Sequence, residues 1–384
     1  MKLRVAFVTQ YDATDRTSWS GTSFFISRAL ERQDVVVDLI GSLRRRAGPI
    51  PRVKEALHRR LRTGSYLLDR APSVLRAYGR EVDSRLPRNA DLIFFPGSFP
   101  LPAFLRDRRP CVAYTDGSFH ALHGFYPEYR TICRESVADA LRAEEAALDR
   151  CAHLFFSSPW ALDTAQQGYP FLAAKSTVVP FGANLDEPMG RDQMEGTLDR
   201  RGGATCRLLF VGRDWRRKRL PFVFEVMEAL ARRGIDAALD VVGVPDFPGL
   251  GPSFHVRDWG ILDTSTAEGK GAYDALLRGS DFMILPSAAE CFGICLCEAA
   301  SRGLPCVASG VGGIPSVVRD GLSGFVLPPK AGPGDYAEAI ATAFTDRVLY
   351  RGLAYGAFED STARLNWHAA MQIIVPRLWE IASS

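Results

Sequence analysis

The chain has 384 residues, 47% of them apolar and 24% charged, with a net charge of +3. That length suits two domains of roughly 150–200 residues. The composition is that of an ordinary globular protein, and it excludes a disordered, collagen-like or membrane-spanning chain. The first residues, MKLRVAFVTQYD, are too short in their apolar part for a signal peptide and read as a first buried strand, so the expected location is cytoplasmic. The eight cysteines are scattered without a Cys-x-x-Cys pair. They read as reduced, buried thiols, and no zinc site is expected.

In chain order, Leu3–Thr9 is a first parallel strand. The long polar loop Gln10–Ser20 follows, and Gly21-Thr22-Ser23 opens a helix to Glu31. Val35–Ile40 is a second strand. Residues 41–90 then hold thirteen Lys/Arg against four acids, an excess of nine positive charges. Within them Pro51–Tyr78 can form helices, with Leu57, Leu61, Leu67, Leu68 and Leu75 as apolar positions. This segment reads either as a basic surface for peripheral contact with an anionic membrane, at the inner membrane face, or as a solvated face with local pairing. No nucleic-acid reading module accompanies the charge.

Asp91–Pro96 and Cys111–Thr115 are further buried strands. Asp116-Gly117-Ser118 follows at the carboxyl end of the second, where an open α/β sheet places working residues. A charged helix, Glu135–Asp149, leads to the strand Leu154–Ser157. Lys175–Pro180 closes the first half. The polar residues 186–204 read as a linker. The pattern restarts at Arg207–Val211, followed by Gly212-Arg213 and Lys218. Ala238–Gly243 and His255–Ile261 are further strands.

The most informative stretch is Asp281–Phe325. Phe282–Pro286 is a strand, Ser287–Ala289 a small-residue loop, and a helix opens near Phe292-Gly293. Gly303 ends the helix, and Pro305–Ser309 is a strand running into Gly310-Val311-Gly312-Gly313. The free N–H groups and dipole at the helix opening favour phosphate, and Gly293 permits close approach. Glu290 sits on the loop. Glu298 lies about 7 Å along the helix from Gly293, at about 1.5 Å per residue. Carboxylates so spaced suit two polyols on either side of a diphosphate.

Glu290-x7-Glu298 with its embedded Phe-Gly, followed by EAASRGLPCVAS, GVGGIP and DGLSGFVLPP, resembles the retaining GT-B glycosyltransferases, closest to glycosyltransferase family 4. The resemblance implies two facing Rossmann-like doubly wound domains with a cleft between them. Residues 1–185 and about 365–384 would form the acceptor-binding domain, the last helix crossing back onto it. Residues 205–364 would form the nucleotide-sugar-binding domain. The implied activity is metal-independent transfer of a sugar from a UDP- or GDP-sugar to an acceptor hydroxyl (lipid, glycan or small molecule), with no cofactor. Alternatives are a GT-B phosphorylase or epimerase, or a non-catalytic nucleotide-sugar-binding scaffold. Residue by residue, the resemblance puts Gly21 beside the donor sugar and acceptor. It makes Asp116 the group that orients or deprotonates the acceptor hydroxyl. Arg213 and Lys218 neutralise the diphosphate, together with Phe292, Gly293, Ile294 and Cys295 at the helix opening. Trp259 and Gly260 lie against the base, Glu298 holds the ribose and Glu290 contacts the donor sugar. The chain departs from the pattern at Arg219, where the family usually has glycine.

Overall fold

Short apolar runs that end at turn residues become parallel strands here, the central ones buried on both faces as βαβ connections require. The computed structural model describes residues 2–97, 100–245 and 255–384. It divides into two units, Met1–Pro180 with Ala370–Ser384, and Phe181–Ala369. Each is built on its own six-stranded sheet.

The first unit runs β1 (Arg4–Val8), α1 (Thr22–Glu31), β2 (Val36–Ile40), α2 (Pro49–Leu61), α3 (Pro72–Arg85), β3 (Leu92–Pro96) and β4 (Cys111–Thr115). It continues through α4 (Phe119–Phe125), α5 (Arg134–Arg150), β5 (Cys151–Phe156), α6 (Pro159–Gly168) and β6 (Ser176–Val178). The strand order is β2-β1-β3-β4-β5-β6, all parallel. The order reverses between β1 and β3, which makes that pair the topological switch point. Val74, Leu75, Tyr78 and Val82 of α3 pack in one cluster with Ala6 and Val8 of β1 and Ile93 and Phe95 of β3. Alternate strand residues thus cover one helix. Ser118 and Ser158 cap α4 and α6, their Oγ atoms accepting from the N–H groups of Ala121 at 3.2 Å and Ala161 at 3.1 Å.

The second unit runs α7 (Arg191–Leu198), β7 (Cys206–Val211), α8 (Leu220–Arg232), β8 (Ala237–Val242), β9 (His255–Asp258), α9 (Ala267–Gly279) and β10 (Phe282–Leu285). Then come α10 (Ile294–Ala300), β11 (Cys306–Ser309), α11 (Ile314–Val317), β12 (Gly324–Leu327), α12 (Pro333–Thr345) and α13 (Arg347–Arg364). The closing helix α14 (Trp367–Ala382) ends in the segment that clusters with the first unit. The strand order is β12-β11-β10-β7-β8-β9. Read from the other edge, the chain winds outward from β7 and then returns to β10. This is the doubly wound order with its switch point between β7 and β10. These two strands pair in parallel, Phe282 with Leu208 and Met283 with Leu209, so their carboxyl ends share one edge. All eight cysteines are buried thiols, outside any disulfide.

The expected linker, 186–204, is ordered structure of the second unit. Helix α7 occupies its middle and buries Met194, Thr197 and Leu198. The guanidinium of the buried Arg201 donates to the carbonyls of Leu277 at 2.9 Å, Arg302 at 3.1 Å and Arg278 at 3.1 Å. The polar composition that suggested a linker reflects one solvated helix face and a buried arginine satisfied by backbone carbonyls. The unit boundary falls before Phe181 rather than after Leu185. Phe181 belongs with the second unit because its ring packs on Phe292 at 5.1 Å and Trp367 at 5.8 Å.

Candidate active site

Residues 212–219 follow β7, and Asp214 winds this loop into a tight turn. Its carboxylate accepts from Arg217 N–H at 3.0 Å and its carbonyl accepts from Lys218 N–H at 3.0 Å. The turn leaves Arg213 and Arg216 exposed and directs Arg217 and Lys218 inward. Arg217 reaches the loop that follows β10. Its Nη1 donates to Ala289 O at 2.6 Å and to Glu290 Oε2 at 3.2 Å. Its own carbonyl accepts from Ala288 N–H at 2.8 Å. Lys218 Nζ lies 3.4 Å from the same Glu290 oxygen and donates to Val211 O at 3.2 Å. Only 12% of the Glu290 side chain is exposed, so this carboxylate sits between two cations out of bulk water. Burial depresses the Lys218 ammonium, but Cys295 and Glu290 outweigh it and hold the pKa above its ordinary value. The lysine stem lies over Gly212, where a Cβ would come within 2.1 Å of Lys218 Cδ. The glycine therefore makes room for the inward lysine.

Gly293 turns the chain into α10 with φ +89°, and a Cβ there would lie 2.9 Å from Leu296 Cδ1. Phe292 and Cys295 are buried, and Ile294 is half-buried. Glu298 is buried within α10. It accepts from Tyr273 Oη at 2.6 Å, and the backbone N–H of Asn184 also donates to it. Burial pushes its carboxyl up to about 7, against the opposing pull of Tyr273 and the cations Lys218 and Arg302. Trp259 and Gly260 follow the edge strand β9. The Trp259 indole donates to Asp240 Oδ1 at 2.7 Å, and Arg257 lies 3.7 Å over its ring. The N–H of Trp259 donates to Val241 O at 2.9 Å and that of Gly260 to Asp258 Oδ1 at 2.8 Å.

In the first unit, Gly21 has φ +78° and opens α1 after the β1 loop. Asp116 is half-buried at the carboxyl end of β4. Tyr11, on the β1 loop, is tied to the start of α1. Its hydroxyl shares a 2.7 Å hydrogen bond with Ser23 Oγ. Burial, reinforced by the charges of Asp116 and Asp15, pushes it up to about 12. Below the Asp116 loop, the buried carboxylate of Glu144 accepts from the N–H groups of Phe119 at 2.5 Å and His120 at 3.0 Å, and from Tyr169 Oη at 3.0 Å. It fixes the start of α4 and so the turn that carries Asp116.

Residues 205–346 match the family model described as glycosyl transferases group 1. Over 224 residues the chain is 32% identical to the D-inositol 3-phosphate glycosyltransferase of Geodermatophilus obscurus, a match covering 52% of this chain and 46% of that one. The chain thus spans about half the length of that relative. Sucrose-phosphate synthase from Thermosynechococcus elongatus superposes with a TM-score of 0.70 at 18% identity, covering 100% of both chains. Anabaena HepE, solved with UDP and glucose, superposes with a TM-score of 0.63 at 16% identity, covering 98% of this chain and 99% of that one. The chain has the GT-B fold.

In this GT-B chain, the second unit brings together Lys218, Glu290, Gly293, Cys295 and Glu298. Cys295 Sγ lies 4.0 Å from Lys218 Nζ. Arg213 stands exposed on the same loop, and the inward arginine is Arg217. Trp259 and Gly260 lie two strands away from β7, with both N–H groups engaged at the sheet edge. Arg217, Tyr273 and Tyr11 were not singled out in the sequence. Arg217 had a signal, since it adjoins Lys218 in an arginine-rich turn, but the Gly-Arg…Lys spacing drew attention to Arg213. The others carry no local pattern and are found only through their partners. Among the described residues no three His, Cys, Asp or Glu side chains form a group that could hold a metal ion.

Proposed function

We propose that this chain is a retaining, metal-independent glycosyltransferase that moves a sugar from a UDP- or GDP-sugar to an acceptor hydroxyl. The observation that carries the reading is the cluster of Arg217, Lys218 and Glu290 on the loops of the β7–β10 switch point. Open α/β sheets bind ligands there, outside the carboxyl ends of their strands. The family match over 205–346 and the nucleotide bound to HepE support a nucleotide-sugar donor.

Breaking the glycosidic bond leaves negative charge on the departing diphosphate. Lys218 and the exposed Arg213 stabilise that charge where it develops, with the N–H groups from Gly293 to Cys295. Fixed cations of this kind take the part a divalent ion plays elsewhere. Arg217 holds the β10 loop against the β7 loop and so presents Glu290. Glu290 contacts the donor sugar and offsets the oxocarbenium-like charge at the anomeric carbon. The chemistry runs on the donor's front face without an enzyme-bound intermediate. Glu298 receives the ribose hydroxyls, and Trp259 and Gly260 lie toward the base. Asp116 orients or deprotonates the acceptor hydroxyl, and Gly21 leaves room for it.

The test is release of nucleoside diphosphate from a panel of UDP- and GDP-sugars, with the anomeric configuration of the product read by NMR. The expected result is turnover with one base, retained configuration, and no loss on adding EDTA. Inverted product, or phosphorolysis with free phosphate in place of transfer, would overturn the proposal.

A further inference from the structure

Glu290 is held from two sides. Arg217 and Lys218 take its side chain, and its own carbonyl accepts from Gly313 N–H at 3.1 Å. Gly313 ends the glycine-rich turn 310–313 and opens α11. Strands β10 and β11 pair in parallel, Leu285 with Ala308, so the loops that carry Glu290 and Gly313 leave the sheet side by side. The main chain at Glu290 is therefore only as fixed as α11.

Helix α11 does not fix itself. It has four residues, Ile314–Val317, and a single turn does not repay the entropy of its own nucleation. Its last carbonyls have no acceptor role left inside the helix. Arg364, on α13, supplies their donors. Its Nη1 donates to Ser316 O at 2.5 Å and its Nη2 to Val317 O at 3.4 Å. Asp360, one turn earlier on α13, orients the guanidinium. Its Oδ1 accepts from Arg364 Nε at 2.8 Å and its Oδ2 accepts from Arg364 Nη2. Such a fork fixes direction as well as distance. Asp360 is only 7% exposed, so solvent ions screen the pair little. Arg319 also reaches Asp360, at 3.2 Å, but its side chain is half exposed.

We propose that Asp360 and Arg364 are positioning residues for the donor sugar. By clamping α11 they set where Glu290 stands, and so how well the site takes the sugar in addition to the nucleotide. The inference rests on the transferase reading, in which Glu290 contacts the sugar and Glu298 the ribose. Glu298 is held by other groups, Tyr273 Oη and the N–H of Asn184. Loosening α11 therefore acts on the sugar and spares the nucleoside diphosphate.

The test is steady-state kinetics of the full chain with the UDP- or GDP-sugar it turns over, alongside inhibition by the matching nucleoside diphosphate. Arg364→Ala should raise KM for the nucleotide-sugar by about tenfold or more and lower kcat, with the inhibition constant of the nucleoside diphosphate unchanged. Neither KM nor the inhibition constant depends on how much of the protein is folded, so a loss of stability does not imitate the split. Arg364→Lys keeps a charge beside Asp360 without the fork. It should fall between the native chain and the alanine variant, and it carries the comparison if the alanine variant does not fold. Arg319→Ala removes the other cation on Asp360 and leaves α11 clamped, so it should match the native chain. A native chain that neither binds nor releases a nucleoside diphosphate would overturn the transferase reading and this inference with it. In a native chain that turns over, KM and the inhibition constant rising together in the Arg364 variants, or neither rising, would overturn the inference alone. So would Arg319→Ala as impaired as Arg364→Ala, which would make the charge on Asp360 the cause and not the clamp.

Discussion

Glu298 and the pair Arg217 and Arg213 make the residue-scale case. The Glu298 carboxyl rises from an ordinary 4.5 to about 7 because it is buried. A raised carboxyl holds its proton more tightly in the folded chain than in the unfolded one, so stability falls as pH climbs through that window. The window runs from 4.5 to about 7. The penalty above it is about 3 kcal/mol at about 1.4 kcal/mol per unit. Glu298→Gln should therefore flatten the pH dependence of the urea midpoint across this window and raise the midpoint at its upper end. A profile parallel to that of the native chain would contradict the assignment. The two arginines should separate cleanly. Arg213 is exposed, so Arg213→Ala should weaken nucleotide binding while moving stability by less than about 0.5 kcal/mol. Arg217→Ala strands the Ala289 carbonyl and half of the Glu290 pairing, and should cost about 1–3 kcal/mol as well as binding. Equal stability losses in the two variants would contradict the inward placement of Arg217. The motif spacing singled out Arg213 and Lys218 but could not see that the turn at Asp214 rotates Arg217 inward. That information lies in backbone hydrogen bonds, not in residue types. Arg219 was legible as a departure from glycine, and the structure explains it. The residue sits at φ +58°, and its guanidinium lies 4.2 Å over the Phe222 ring, which offsets part of the strain.

At the scale of elements, the strand–loop–helix block 281–325 was readable because each of its parts has a local signature. The apolar run Phe282–Leu285 is a strand, and Gly293 takes a positive φ where the helix opens. Gly293→Ala should destabilise the second unit by about 1–2 kcal/mol through a strained backbone and a clash with Leu296. Because the strain falls on the turn that follows Glu290, nucleotide affinity should fall with it in a calorimetric titration. Unchanged stability and affinity would show that this turn does not depend on glycine. Two elements were misread or left open for the same physical reason. In α7, three buried residues sufficed to pack a helix whose composition resembles a linker. In α2, the apolar positions Leu57 and Leu61 were seen, but periodicity shows only that a stripe exists, not which side meets the protein. Lys54 pairing with Glu135, far along the chain, decides that.

Across the whole molecule, two α/β sheets were foreseeable from the alternation of apolar runs and helical segments together with the family resemblance. The strand orders were not, because they depend on which runs pair, and short buried strands carry little pairing information in their own sequence. Those orders place the loops after β7 and β10 side by side, and that adjacency turns scattered basic and acidic residues into one site. The central claim is that this site binds a nucleoside diphosphate through fixed cations. It is tested most directly by the thermal midpoint of the full chain with UDP, GDP and ADP, with and without EDTA. A ligand that binds only the folded chain, at about a hundred times its Kd, adds about 2.7 kcal/mol and raises the midpoint by a few degrees. The account predicts a rise with one nucleoside diphosphate, untouched by EDTA and lost in both Arg213→Ala and Glu298→Ala. No rise with any of the three nucleotides would contradict it.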